Sequence, residues 1–142
     1  MSPFRVKDRL YYAAEAEAHI DLMGAFPCVE DAQLFCNHVL GRKWYRDNLG
    51  EFECKVRYIR RREVCGTHRD RGKFRIDLTL GRLHEGVLLH ELAHPPTFVP
   101  DLSHADHGPA YTRAHLLILE HMIDPYSVEQ FRVALKKRGF TW

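Results

Sequence analysis

His90-Glu91-Leu92-Ala93-His94 is the stretch of this chain with the clearest chemical meaning, because it matches the metal-binding pattern H-E-x-x-H. Residues four apart project from one face of a helix, so the two imidazoles can hold a single ion. Glu91 lies beside them, where a carboxylate can take a proton from an activated water and later return it to a leaving group. Zinc is the expected ion, since it accepts neutral imidazole and lowers the pKa of its bound water to about 7.

The residues before this motif predict a strand that leads into a helix. Apolar and polar residues alternate from Phe74 to Leu80, which is typical of a half-buried strand, and Gly81 ends it. From about Leu83 the apolar spacing becomes helical, and two prolines stop the helix directly after His94. A strand, a short turn and a helix that carries both histidines near its end are expected of a zincin-type site. The strand is also expected to pair with an extended substrate.

A catalytic zinc needs a third protein ligand and one open position. The metzincin extension is excluded, because Thr97 and Pro100 stand where that pattern has its glycine and its last histidine. His107 is the preferred third ligand, since Pro109 begins a helical pattern that would bring His107 to face the motif helix. Three other candidates remain open, namely His104, Asp106 and Glu120.

The chain resembles the SprT-like metalloprotease domain in two stretches, the motif above and His107-Gly108-Pro109-Ala110-Tyr111. That domain has H-E-x-x-H, a short loop and H-G-x-x-aromatic, and the resemblance covers about residues 55 to 124. A narrower likeness is to small metallohydrolases of actinobacteria and their phages, which carry an N-terminal Tyr-x-Ala-Glu element, here Tyr12-Ala13-Ala14-Glu15. The resemblance implies a zinc metallopeptidase in which Glu91 is the general base. It implies three zinc ligands: His90, His94 and His107.

Composition predicts one globular domain, since the 142 residues are 45% apolar and 28% charged. No apolar run approaches the roughly 18 residues of a membrane span, and the N-terminus lacks a signal-peptide core, so a cytoplasmic location is expected. The four cysteines are widely spaced and are expected to be reduced thiols. The chain has no C-x-x-C, whereas many SprT-like proteins carry a C-terminal zinc ribbon built from paired cysteines.

Residues 55–75 carry the main charge asymmetry. They hold nine lysines and arginines against Glu63 and Asp70, which is net +7, whereas the whole chain is +2. A basic patch next to an active site can attract nucleic acid, although a solvated hairpin with polar outer faces has the same composition. Two classes of function follow: a zinc hydrolase acting on a protein or peptide, and a non-catalytic zinc-stabilised protein that binds nucleic acid through this segment.

We predict an α+β fold in which residues 1–142 form a single compact zincin-like domain. It should contain two N-terminal helices, a small sheet of two or three strands, the H-E-x-x-H metal helix and two more flanking helices. The first helix is expected at about residues 6–23, and the second at about residues 31–48 with an end or kink at Gly41. Ser127 and Gln130 predict a capping box at the start of the last helix.

Overall fold

The computed structural model describes residues 3–60, 65–79, 81–98 and 107–142. Within these ranges the chain forms six α-helices and one three-stranded sheet, which confirms the predicted α+β class. In chain order the elements are α1 (Pro3–Glu17), α2 (Val29–Leu40), α3 (Lys43–Asn48), β1 (Cys54–Ile59), β2 (Gly66–Asp70), β3 (Lys73–Thr79), α4 (Glu85–Glu91), α5 (Pro109–Met122) and α6 (Pro125–Lys137). None of the helices in these ranges combines the length and the apolar character that a bilayer crossing requires.

The sheet has the order β1-β3-β2, with β3 parallel to β1 and antiparallel to β2. Arg71 and Gly72 close the β2-β3 hairpin with φ values of 51° and 81°, and two successive positive φ values are what a type I′ turn requires. Both edges of β3 are therefore paired, so the prediction that the strand at residues 74–80 pairs with a substrate is wrong. Alternation of apolar residues indicates a strand, but it does not tell a central strand from an edge strand.

The outer edge of β1 is covered by a side chain from α2. Gln33 donates from Nε2 to the carbonyl of Cys54 (3.0 Å) and accepts at Oε1 from the amide of Val56 (2.7 Å). The side-chain amide thus reproduces the hydrogen bonds of a neighbouring strand and satisfies an edge that would otherwise be open. No comparable cover lies over β2 in the described ranges, so β2 keeps the free edge.

One face of the sheet is apolar and packs against α2 and α4. Phe74, Ile76 and Leu78 of β3 are buried on this face. The strand predicted from Phe74 is confirmed through Thr79, and Leu80 lies outside the described residues. The prediction that it is half-buried is wrong, because Asp77 and Thr79 on its other face are buried as well. The sheet therefore supplies the floor on which the motif helix α4 rests.

The N-terminal helices differ from the prediction in where they end. The first α-helix ends at Glu17, because His19 adopts a left-handed conformation (φ 58°), and a 3-10 turn at Ile20–Leu22 follows. The predicted second helix breaks at Gly41 into α2 and α3, which confirms the expected interruption there.

The last helix begins with a different cap from the predicted one. The Asp124 carboxylate accepts hydrogen bonds from the backbone N and the Oγ of Ser127, both at 2.8 Å. Pro125 takes the first helical position. The predicted capping box of Ser127 and Gln130 is therefore wrong, because Ser127 lies inside the first turn that Asp124 caps.

The motif helix α4 is anchored at its start by the segment that follows α1. The amides of Glu85 and Gly86 donate to the carbonyls of Gly24 and Met23, each at 3.2 Å. These bonds satisfy two of the N–H groups that a helix start leaves without partners. A Cβ on Gly86 would stand only 1.6 Å from the carbonyl oxygen of Ile20. The close approach of α4 to this segment therefore depends on the lack of a side chain at position 86.

We expect Gly86→Ala to lower the free energy of unfolding by about 1–3 kcal/mol, because α4 would have to move away from Ile20. Gly41→Ala is the matched control, since Gly41 is exposed and has right-handed angles (φ −80°, ψ −9°). A Cβ there would stand 3.1 Å from the carbonyl oxygen of Asn37, a contact that a shift of a few tenths of an ångström relieves, against 1.6 Å at Gly86. The control should change stability by no more than about 0.5 kcal/mol. Urea unfolding followed by circular dichroism measures both. An unfolding midpoint for Gly86→Ala equal to that of the wild type would contradict the close approach.

Candidate metal centre

Three buried histidines meet beneath the surface at the end of α4. His90, His94 and His107 are only 3, 5 and 2% exposed, and one donor atom from each lies within 4.8 Å of the others. The Nε2 atoms of His90 and His107 are 3.1 Å apart. Two nitrogens bound to one tetrahedral zinc at about 2.0–2.1 Å are separated by about 3.3 Å. The three ligands predicted from the sequence are therefore brought together at a spacing that suits one ion.

The end of α4 places the two motif histidines side by side. The helix ends at Glu91, and a tight turn follows in which the amide of His94 donates to the carbonyl of Glu91 (3.2 Å). His94 keeps right-handed helical angles (φ −75°, ψ −43°). Its ring centroid lies 5.3 Å from that of His90. The spacing of the motif thus survives although the helix stops before the second histidine.

Two tyrosine hydroxyls hold this end of α4 in place. Tyr111 donates to the carbonyl of His90, and Tyr45 donates to the carbonyl of Leu92, both at 2.8 Å. Carbonyls in the last turn of a helix lack a regular partner within the helix. The bond from Tyr45 satisfies the carbonyl of Leu92, and the bond from Tyr111 adds to the one that the His90 carbonyl accepts from the amide of Ala93 at 3.3 Å. They also fix the backbone from which the His90 side chain projects. Apolar periodicity alone does not reveal either bond.

Two carboxylates on α1 orient two of the histidines. The Glu15 oxygens lie 2.9 and 3.0 Å from Nδ1 of His90, and Asp8 Oδ1 lies 2.7 Å from Nδ1 of His107. Asp8 and Glu15 are two helical turns apart, so they share one face of α1. A carboxylate on Nδ1 fixes the ring and leaves Nε2 for a metal. Sequence reasoning missed Asp8 and included Glu15 only within the Tyr-x-Ala-Glu element. The available signal was the seven-residue spacing of the two acids, which places both carboxylates on one face of a helix.

The tautomers set by these carboxylates favour a cation among the histidines. When Nδ1 donates to a carboxylate, Nε2 of the same neutral ring carries a lone pair. In His90 and His107 the two Nε2 atoms face each other across 3.1 Å, a contact that requires either a proton or a metal cation between the two nitrogens. Burial, followed by the charge of His107, holds the pKa of His90 well below its ordinary value. Neutral imidazoles backed by carboxylates fit a divalent ion such as zinc.

A second group of donor atoms, from Glu15, His90 and His115, meets the same distance limit. Glu15 and His90 are already hydrogen-bonded to each other within it. His115 Nδ1 lies 2.7 Å from the Tyr11 hydroxyl, and its Nε2 is buried without a hydrogen-bond partner in the described residues. The first group is therefore the better candidate for an ion, because the His94 ring makes no hydrogen bond to any described residue.

Glu91 is fixed beside the histidines by strand β2. Thr67 Oγ1 donates to Oε2 of Glu91 at 2.7 Å and lies 3.1 Å from its backbone carbonyl. Oε1 makes no hydrogen bond within the described residues, so it stays available for proton transfer. Burial raises the pKa of Glu91 to about 8, although the bond from Thr67 acts in the opposite direction. A divalent cation nearby would favour the ionised carboxylate.

The structure excludes one of the three alternatives to His107 as the third ligand and leaves the other two untested. Glu120 lies on the exposed face of α5 and pairs with Arg132, so it is not a ligand of this cluster. His104 and Asp106 lie outside the described residues. His107 directly precedes Gly108, the residue that begins α5 as its cap, which confirms the predicted position at the start of this helix.

The basic segment, residues 55–75, forms β1, β2 and the first part of β3, with residues 61–64 outside the described ranges. Its arginines are partly neutralised, because Arg57 and Arg75 donate from Nε to Oδ1 of Asp77 at 3.0 and 3.1 Å. Burial acts to raise the pKa of Asp77, but the two guanidinium groups hold it below its ordinary value. Nucleic-acid binding through this segment stays a prediction. Fewer of its positive charges are unpaired than the composition suggested, because Arg57 and Arg75 pair with Asp77.

We expect Glu15→Gln and Asp8→Asn each to weaken zinc binding by about 10- to 100-fold, because a neutral amide supports an imidazole ligand less well than a carboxylate does. Competition with a chelator of known zinc affinity measures the effect. Glu17→Gln is the matched control on the same helix, since Glu17 faces outward and pairs with Lys137 and Arg138. Unchanged zinc affinity in both carboxylate variants would contradict the supporting role of α1.

Comparisons with models of protein families, with curated proteins and with solved structures found no match to this chain. The resemblance to the SprT-like domain is therefore carried by the motif residues alone. The contacts around the three histidines are observed in the structure and do not depend on that resemblance.

Proposed function

We propose that this protein is a zinc-dependent hydrolase, and in narrower terms a zincin-like metallopeptidase that cleaves an amide bond in a protein or peptide. The observation that carries the proposal is a cluster of three buried histidines beside a buried, hydrogen-bonded Glu91. Catalytic zinc sites combine three protein ligands, one open position and a nearby general base. The choice of a peptide bond is supported by the resemblance to the SprT-like metalloprotease domain.

A zinc ion held by the three histidines would supply a Lewis acid that lowers the pKa of water and polarises the scissile carbonyl. Glu91 takes a proton from the water as the water oxygen attacks the carbonyl carbon. The same carboxyl group then returns that proton to the leaving nitrogen as the C–N bond breaks. Because Thr67 holds Oε2, Oε1 is the oxygen that moves the proton.

Strand β2 is the element that best suits an extended substrate. Its outer edge is free in the described sheet, whereas β3 is paired on both sides and β1 is covered by Gln33. Thr67 on β2 bonds directly to Glu91, so a peptide added to this edge would run alongside the general base.

A non-catalytic zinc-stabilised nucleic-acid-binding protein is supported less well. Such a protein would need a fourth protein ligand, and the predicted ones, His104 and Asp106, lie outside the described residues. In such a protein the buried Glu91 carboxylate would have no function, although burying a carboxylate lowers the free energy of unfolding. The hydrolase accounts for both the histidines and Glu91.

We expect Glu91→Gln to reduce the hydrolysis of casein, an unstructured protein substrate, by about 10²–10⁴-fold, because an amide cannot accept the proton of the water. Zinc content, measured by mass spectrometry, should stay that of the wild type, since Glu91 is not a ligand. Glu129→Gln is the matched control, as its exposed side chain lies on α6 and pairs with Arg132. Full activity in Glu91→Gln would contradict the proposed mechanism.

A further inference from the structure

Four tyrosines surround the histidine cluster, and three of them use their hydroxyl groups on protein atoms. The Tyr11 hydroxyl lies 2.7 Å from Nδ1 of His115, and those of Tyr45 and Tyr111 donate to backbone carbonyls at 2.8 Å. The hydroxyl of Tyr12 has no hydrogen-bond partner within the described part of the chain. Tyr12 is only partly buried, so its hydroxyl is free to donate a hydrogen bond to a bound molecule.

The ring of Tyr12 is held against two of the histidines. Its centroid lies 5.4 Å from that of His90 in a near-parallel stack (26°) and 5.7 Å from that of His107 in an edge-to-face contact (72°). Unlike these histidines, Tyr12 is only partly buried. It lines a small cleft together with His90, Glu91 and Cys65. Tyr12 therefore stands between the buried histidines and solvent, where a substrate can reach it.

Tyr12 shares this cleft with the proposed general base. The cleft is lined by Tyr12, His90 and Glu91 together. A phenol is protonated at neutral pH, so Tyr12 can donate a hydrogen bond to a group that enters the cleft beside Glu91.

We propose that Tyr12 is a catalytic residue that donates a hydrogen bond to the oxyanion of the transition state, an inference that rests on the proposed hydrolase function. As the water oxygen bonds to the carbonyl carbon, the π electrons of the C=O bond move onto the carbonyl oxygen. The Tyr12 O–H donates to that oxygen and keeps its own proton. When the C=O bond re-forms, the C–N bond breaks and the nitrogen takes its proton from Glu91. A preorganised donor of this kind typically contributes about 10²–10³-fold in rate.

The first test is Tyr12→Phe, which removes only the hydroxyl oxygen. We expect kcat for casein to fall by about 10²–10³-fold, with zinc content and Tm unchanged. Tyr126→Phe is the matched control, because Tyr126 is 73% exposed on α6 and should keep full activity. Tyr111→Phe is a comparison with a structural tyrosine. It removes the buried 2.8 Å bond to the carbonyl of His90, which leaves that carbonyl only the longer bond from the Ala93 amide, and it should lower Tm.

The second test needs no turnover and separates the role of Tyr12 from the hydrolase proposal. N-phosphoryl-leucinamide presents a tetrahedral phosphoryl oxygen in place of the oxyanion, and titration calorimetry measures its binding to the zinc-loaded protein. We expect its affinity to fall at least about tenfold in Tyr12→Phe, as the loss of one hydrogen bond to a charged group predicts. If the affinity falls but the wild type cleaves no protein, the hydrolase proposal fails while the donor role stands.

Four results would overturn the donor role. They are equal affinity of the wild type and Tyr12→Phe for this compound, no binding by the wild type, turnover in Tyr12→Phe equal to that of a wild type that cleaves casein, and loss of zinc from Tyr12→Phe.

Discussion

The hydrogen bonds from two carboxylates on α1 to two histidines are the interaction on which the candidate site depends. Asp8 and Glu15 each bond to Nδ1 of a ring, at 2.7 and 2.9 Å, and thereby direct the opposite nitrogen inward. Without these bonds His90 and His107 could rotate or change tautomer, and their Nε2 atoms would no longer converge. The first helix, remote in sequence, is therefore part of the candidate metal centre.

Contacts from other parts of the structure position the helix α4, which carries His90 and Glu91. Gly86 lets α4 dock against the segment after α1, while Tyr45 and Tyr111 fix the carbonyls at the end of α4. Thr67 on β2 positions Glu91 against the same helix. These contacts act on α4 and the turn that follows it, so they fix the backbone that carries His90, Glu91 and His94, as supporting hydrogen bonds do in metal sites.

The parts of the site that follow from local spacing could be predicted from the sequence, and the parts that depend on distant contacts could not. His90 and His94 are four residues apart, so helical geometry places them together. Asp8 and Glu15 lie 99 and 75 positions from the histidines they support, and no local pattern joins them. Likewise, alternation predicted the strand that became β3, but its central place depends on the parallel pairing with β1.

The most direct test of the metal centre is an anomalous-difference map at the zinc edge, from crystals of protein never exposed to a chelator. We expect one peak about 2.0–2.1 Å from nitrogens of His90, His94 and His107, with a fourth position not filled by protein. A peak with four protein ligands would contradict a catalytic centre and favour a structural zinc. No peak at the three histidines would contradict the metal site itself.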